Sequence, residues 1–146
     1  MTADAGEMTS IFYVDDDSDD LNFFQDAVDA INKNVRLFTM GDDMIKAMHN
    51  PPPAPSIVFL DLNMPTKSGF EIINEIKASG AFQGLPLIVY STASDNYTVN
   101  KCRQLGACLY IVKPTSMAAL KAALQKVLEI DWATFKPTPK NFLYRA

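Results

Sequence analysis

Residues 57–71, IVFLDLNMPTKSGFE, run four apolar side chains straight into an aspartate, Asp61, and the chain has turned by Pro65. An unbroken apolar run of this length reads as a strand covered on both faces, the pattern of a parallel sheet. A carboxylate at its end is either a turn residue or a group placed for chemistry. What else the chain brings to that end of the sheet decides between them.

Working outward, the same alternation of strand and helix recurs. SIFYV (10–14) is a second continuous apolar run. In the following DDDSDDLNFFQDAVDAIN, the residues Leu21, Phe24, Val28 and Ile31 form one helical stripe. Ser18 is the expected N-cap there, with Asp19 and Asp20 favourable in the first turn. VRLFT (35–39) predicts a strand, and Gly41 to His49 a helix stopped by Asn50 and the prolines after it. The helix after Asp61 carries Phe70, Ile73 and Ile76 on one face. LIVYS (87–91) and CLYIV (108–112) are further strands, each followed by a helix, at about 95–105 and 116–130. Five strand–helix units with short connections predict an α/β fold: a five-stranded parallel sheet, doubly wound as (βα)5.

Composition narrows the class. The 146 residues are 48% hydrophobic and 21% charged, as in one globular domain. No apolar run approaches the roughly 20 residues of a membrane helix, and the first ten residues do not read as a secretory signal. Cys102 and Cys108 have no metal-ligand spacing. The expectation is a cytoplasmic protein with no membrane segment. Net charge is −4, and up to Asp43 eleven acids face only Lys33 and Arg36. Nucleic-acid binding, which needs clustered cations, is therefore not expected.

In an open parallel sheet, ligands bind beyond the carboxyl ends of the strands. Asp15 and Asp16 follow the first strand, Asp61 the third, Ser91 and Thr92 the fourth, and Lys113 the fifth. Three neighbouring carboxylates repel unless a cation neutralises them, and oxygen ligands suit a hard ion such as Mg²⁺. A carboxylate beside such an ion can act as nucleophile toward phosphorus, with an amine and a hydroxyl holding the phosphoryl oxygens. DDDSDD does not meet the calcium-loop pattern, because its sixth and twelfth positions are Asp20 and Asp26. His49, the single histidine, reads as an exposed bystander.

YVDDDS, FLDLNMPTKSGFE, VYSTAS and YIVKP, in that order and spacing, resemble the receiver domain of two-component response regulators over about residues 9–130. The resemblance implies a flavodoxin-like receiver fold that accepts phosphoryl groups for signalling, with slow self-dephosphorylation and no enzymatic role. It implies Asp61 as phosphoryl acceptor, Lys113 as phosphoryl-binding lysine, and Ser91 with Tyr110 as the switch pair. The metal ligands it implies are Asp15, Asp16, Asp61 and the backbone carbonyl of Asn63, around Mg²⁺. The implied partners are a sensor histidine kinase or histidine phosphotransfer protein and a downstream protein target, with a homodimer as a further assembly.

Two rivals stand beside this reading. A hydrolase of the haloacid-dehalogenase type also places Asp after a strand, but it needs a second Asp where this chain has Asn63. A receiver-like binding module that has lost phosphorylation conflicts with the intact residue set. The expected organisation is a flexible start (1–8), the receiver (9–130) and an aromatic, basic tail (131–146) with no output domain, so the regulator is expected to be stand-alone. Within the tail, Trp132 is expected to pack on the domain. Phe142 and Tyr144 are divided between the domain and a partner.

Overall fold

The computed structural model describes residues 10–49, 57–64 and 67–145. The start at 1–8 and the helix stop at Asn50 and the following prolines lie outside the described residues. Strands β1 (Ile11–Val14), β2 (Val35–Phe38), β3 (Ile57–Leu60), β4 (Leu87–Ser91) and β5 (Leu109–Val112) alternate with five helices. These are α1 (Ser18–Ala30), α2 (Gly41–His49), α3 (Gly69–Ala78), α4 (Asn96–Leu105) and α5 (Met117–Glu129). A short 3₁₀ turn, Gly80–Phe82, lies between α3 and β4. All strand pairs are parallel, in the order β2-β1-β3-β4-β5. The fold is a doubly wound, flavodoxin-like α/β architecture.

The continuous apolar runs follow from burial on both faces. Along β1, Phe12 and Val14 join Met44, Ile72, Ile73 and Cys102 in one core layer, while Ile11 and Tyr13 join Phe24, Val28, Leu120 and Leu124 in the other. The pleat sends successive side chains to opposite faces, so a strand between two helix layers must be apolar throughout. β2, at the sheet edge, is only partly covered.

Helix ends are set by local hydrogen bonds. The cap of α1 is Asp17, one residue earlier than expected, because its carboxylate accepts from the amides of Asp19 at 2.8 Å and Asp20 at 3.3 Å. Ser68 and Glu71 form a reciprocal capping box on α3. Gly69 lets the loop fold back after Asp61: a Cβ there would lie 2.6 Å from the Leu62 Cα, and its amide donates to the Leu62 carbonyl at 2.9 Å. Gly106 ends α4 at φ 113°, a conformation that favours glycine.

A sixth strand, β6 (Leu143–Tyr144), extends the sheet beyond the five expected, pairing parallel to β5 with Tyr110 opposite Leu143. The Tyr110 amide donates to the Phe142 carbonyl at 2.9 Å. Phe142 is 1% exposed and meets the Tyr110 ring at 6.3 Å between centroids. Trp132 packs on the domain as expected, donating from its indole to the Val127 carbonyl at 3.2 Å. The tail thus contributes to the core. Phe142→Ala is expected to destabilise the protein by about 3 kcal/mol, the cost of emptying a buried phenylalanine site. Truncation after Ile130 should cost at least as much. Urea unfolding checks both, and unchanged midpoints would separate the tail from the core.

Candidate functional site

Strands β1, β3 and β5 are each pinned just beyond their last residue. The Asp15 amide donates to the Phe38 carbonyl at 3.0 Å, Asp61 to Val14 at 3.1 Å, and Lys113 to Ser91 at 2.9 Å. These bonds continue the parallel ladders by one rung, so the two carboxylates and the amine are held by backbone rather than by loops. Together with Asp16, Asp17, Asp20, Asn63 and Thr92 they line one open cleft of about 330 Å³.

Carboxylate oxygens of Asp15, Asp16 and Asp61 lie within 4.8 Å of one another. Asp15 and Asp61 are buried and Asp16 is exposed. An oxygen-only set with one solvent-facing member fits a hard divalent cation that keeps part of its water shell. Asp15 is already heavily engaged. Its Oδ1 accepts from the Asp17 amide at 3.0 Å, and its Oδ2 accepts from both the Tyr13 hydroxyl and the Lys113 amine. Asn63 sits exposed at the rim of the cleft.

Lys113 supplies the positive charge. Its Nζ lies 2.8 Å from Asp15 Oδ2, 2.7 Å from Asp20 Oδ2 and 3.5 Å from Asp61 Oδ1, and it stands 5.5 Å over the Tyr90 ring. Burial favours loss of its proton, but the hydrogen bonds to Asp15 and Asp20 and the charge of Asp61 outweigh burial and raise its pKa. Asp61 is pushed up to about 6, first by burial and then by the charge of Asp15, with Lys113 opposing. At neutral pH Asp61 is therefore mostly ionised and able to act as a nucleophile.

Ser91 is fully buried, and its Oγ accepts from the Ala93 amide at 3.3 Å. Tyr110 donates its hydroxyl proton to the Ala93 carbonyl at 2.7 Å. The Tyr110 pKa is pushed up to about 12 by burial, against a lowering contact with the Ser91 hydroxyl. Ser91 and Tyr110 are thus joined through Ala93, while Thr92, between Ser91 and Ala93 in sequence, lines the cleft. His49 is exposed and lies against the Phe82 ring, at 4.8 Å between centroids.

Three contributors escaped sequence reasoning. Tyr13 and Tyr90 read as plain strand packing, and Asp20 as a favourable first-turn acid. Position could have flagged Tyr13, which stands two residues before Asp15 and so shares its face of the pleat. Nothing local marks Asp20, whose partner Lys113 lies 93 residues away.

The family model described as response regulator receiver domain matches residues 11–125. The transcriptional regulatory protein CssR of Bacillus subtilis is 30% identical over 135 residues, covering 92% of this chain and 58% of that protein. The chain spans about half the length of the curated relatives it matches. Among solved structures, the BeF3-activated receiver domain of DrrB is similar, with a TM-score of 0.69 at 29% identity, over 84% of this chain and 99% of that one. The Mn²⁺-bound form of response regulator Rcp1 shares the fold, with a TM-score of 0.72 at 22% identity, over 90% of this chain and 99% of that one. No helix among the described residues is long and apolar enough to cross a membrane.

The raised Asp61 pKa has a stability consequence. Between about pH 3.8 and 6 the folded state holds a proton that the unfolded state has released. The stability linked to that proton is present at low pH and lost as pH rises through about 6. Asp61→Asn, which is neutral at every pH, should therefore stabilise the metal-free protein above pH 6. The expected gain is roughly 1–3 kcal/mol, the free energy that separates ionisation at about pH 6 from ionisation at 3.8. It should fade as pH falls toward 4. Urea melts across this range in chelator check the sign.

Proposed function

The chain belongs to the response regulator receiver domain family, and on that premise we propose that Asp61 accepts a phosphoryl group from a phosphohistidine donor. The donor would be a sensor histidine kinase or a histidine phosphotransfer protein, and the output an altered affinity for a downstream protein. The observation that carries this reading is the environment of Asp61. It is a buried carboxylate, ionised at neutral pH, with an ammonium 3.5 Å away and the carboxylates of Asp15 and Asp16 within 4.8 Å.

An Asp61 oxygen attacks phosphorus as the P–N bond to the donor imidazole breaks, and the imidazole leaves with the bonding pair. Lys113 and the Ser91 hydroxyl hold the oxygens of the transferred group. Asp16 and Asp61 would hold Mg²⁺ directly, with the Asn63 carbonyl and with Asp15 acting through water. The engagement of both Asp15 oxygens by protein donors supports the indirect role for Asp15. When bound, Mg²⁺ supplies neutralisation of the charge that gathers on the phosphoryl oxygens. Ser91, Ala93 and Tyr110 form the route by which occupancy at Asp61 would reach the surface.

The test is incubation with acetyl phosphate, with Mg²⁺ or with chelator, read by intact mass. One phosphoryl group should add to the wild type only when Mg²⁺ is present, and none to Asp61→Ala. Incorporation retained in Asp61→Ala would remove the assignment, and catalytic turnover of small phosphomonoesters would favour a hydrolase. Saturating Mg²⁺ should also stabilise the protein by about 1–3 kcal/mol, by mass action. That gain should shrink in Asp16→Ala, with melting temperature as the readout.

A further inference from the structure

Asp20 makes the shortest contact to the Lys113 amine, 2.7 Å against 2.8 Å for Asp15 and 3.5 Å for Asp61. It reaches across from the first turn of α1, where its own amide is tied to the Asp17 carboxylate. Asp19, its neighbour in that turn, is exposed and lies outside the ion pairs of Lys113. An ammonium carries three N–H groups. Two of them are taken at short distance by Asp15, just beyond β1, and by Asp20, in α1. The longest contact is left for Asp61, beyond the range of a strong charge-assisted hydrogen bond.

We propose that Asp20 is a positioning residue for Lys113: it draws the amine toward α1, so that the nearest Asp61 oxygen stays free for attack on phosphorus. The inference rests on the phosphoryl-acceptor reading of Asp61. A carboxylate oxygen locked against an ammonium at about 2.8 Å is a poorer nucleophile, because its lone pair is already engaged. Asp15 alone is a weaker competitor for the amine, since its Oδ2 also accepts the Tyr13 hydroxyl. Without Asp20, the freed N–H closes on Asp61. The amine then opposes both the nucleophile and any cation that shares Asp61. After transfer, the phosphoryl oxygens offer new anionic acceptors, and Lys113 can follow them.

Two measurements on the whole chain test this. The first needs no phosphorylation: Mg²⁺ affinity by calorimetry for wild type, Asp20→Ala, Asp19→Ala and each variant combined with Lys113→Met. Both aspartate variants remove one negative charge, so general electrostatics weaken binding in both. The proposal expects an additional loss of about fivefold in Asp20→Ala, the scale of coupling between contacting residues, and its disappearance in the Lys113→Met background. The second is the rate of labelling by acetyl phosphate at saturating Mg²⁺. Asp20→Ala should slow it by about fivefold, Asp20→Glu should restore part of the rate, and Asp19→Ala should stay near wild type. Equal effects of Asp19→Ala and Asp20→Ala in both measurements would overturn the proposal, as would an Asp20→Ala effect that persists without Lys113. If the wild type takes no label at all, the acceptor reading of Asp61 fails, while the calorimetric cycle still reads the hold of Asp20 on Lys113.

Discussion

One ammonium surrounded by acids organises the carboxyl end of this sheet. Asp15 and Asp61 are buried side by side, and burial together with the neighbouring charge of Asp15 raises the pKa of Asp61. Lys113, delivered by β5 from the far side of β4, is the charge that offsets this. Its backbone amide is fixed to Ser91, so the root of its side chain is held by the sheet rather than by a loop. Removing such a partner leaves uncompensated buried charge, which is far costlier than the modest worth of a surface pair.

The same arrangement explains why the core is built in two layers. Parallel strands need helical crossovers, and crossovers on both faces make every central strand apolar throughout. Polar residues are then confined to the strand ends, where the neighbouring ladder still holds the backbone. Asp15, Asp61, Ser91 and Lys113 all occupy such positions. Architecture and site are consequences of one topology.

Much of this was legible in the sequence. IVFL ahead of Asp61, and the strand–helix periodicity either side of it, place the first five strands and the five helices correctly to within a residue or so. The convergence of Asp15, Asp16, Asp61, Ser91 and Lys113 follows from that order alone, because strand ends in a parallel sheet share an edge. The α1 cap was misplaced by one residue because aspartate and serine cap about equally well, and Asp17 and Ser18 stand together. β6 was invisible for a different reason. Two residues carry no period, and its pairing with β5 depends on contacts across the whole of α5. Asp20 and Tyr13 also have recognisable local roles, as helix-leading acid and strand aromatic, which hide the contacts they make across the cleft.

The short β6 changes how the sheet meets its surroundings. Without it, β5 would present a row of unpaired peptide groups along its four residues, the kind of border onto which another chain can stack. With it, the Tyr110 amide is paired to Phe142, and the new border is only two residues long. A stub of that length is a poor template for runaway strand addition. At the opposite border, β2 carries an exposed arginine, Arg36, whose guanidinium lies 5.3 Å from the centres of the Phe12 and Phe38 rings among half-covered neighbours. A charged residue on one flank and brevity on the other are both features that oppose the addition of further strands to a sheet border.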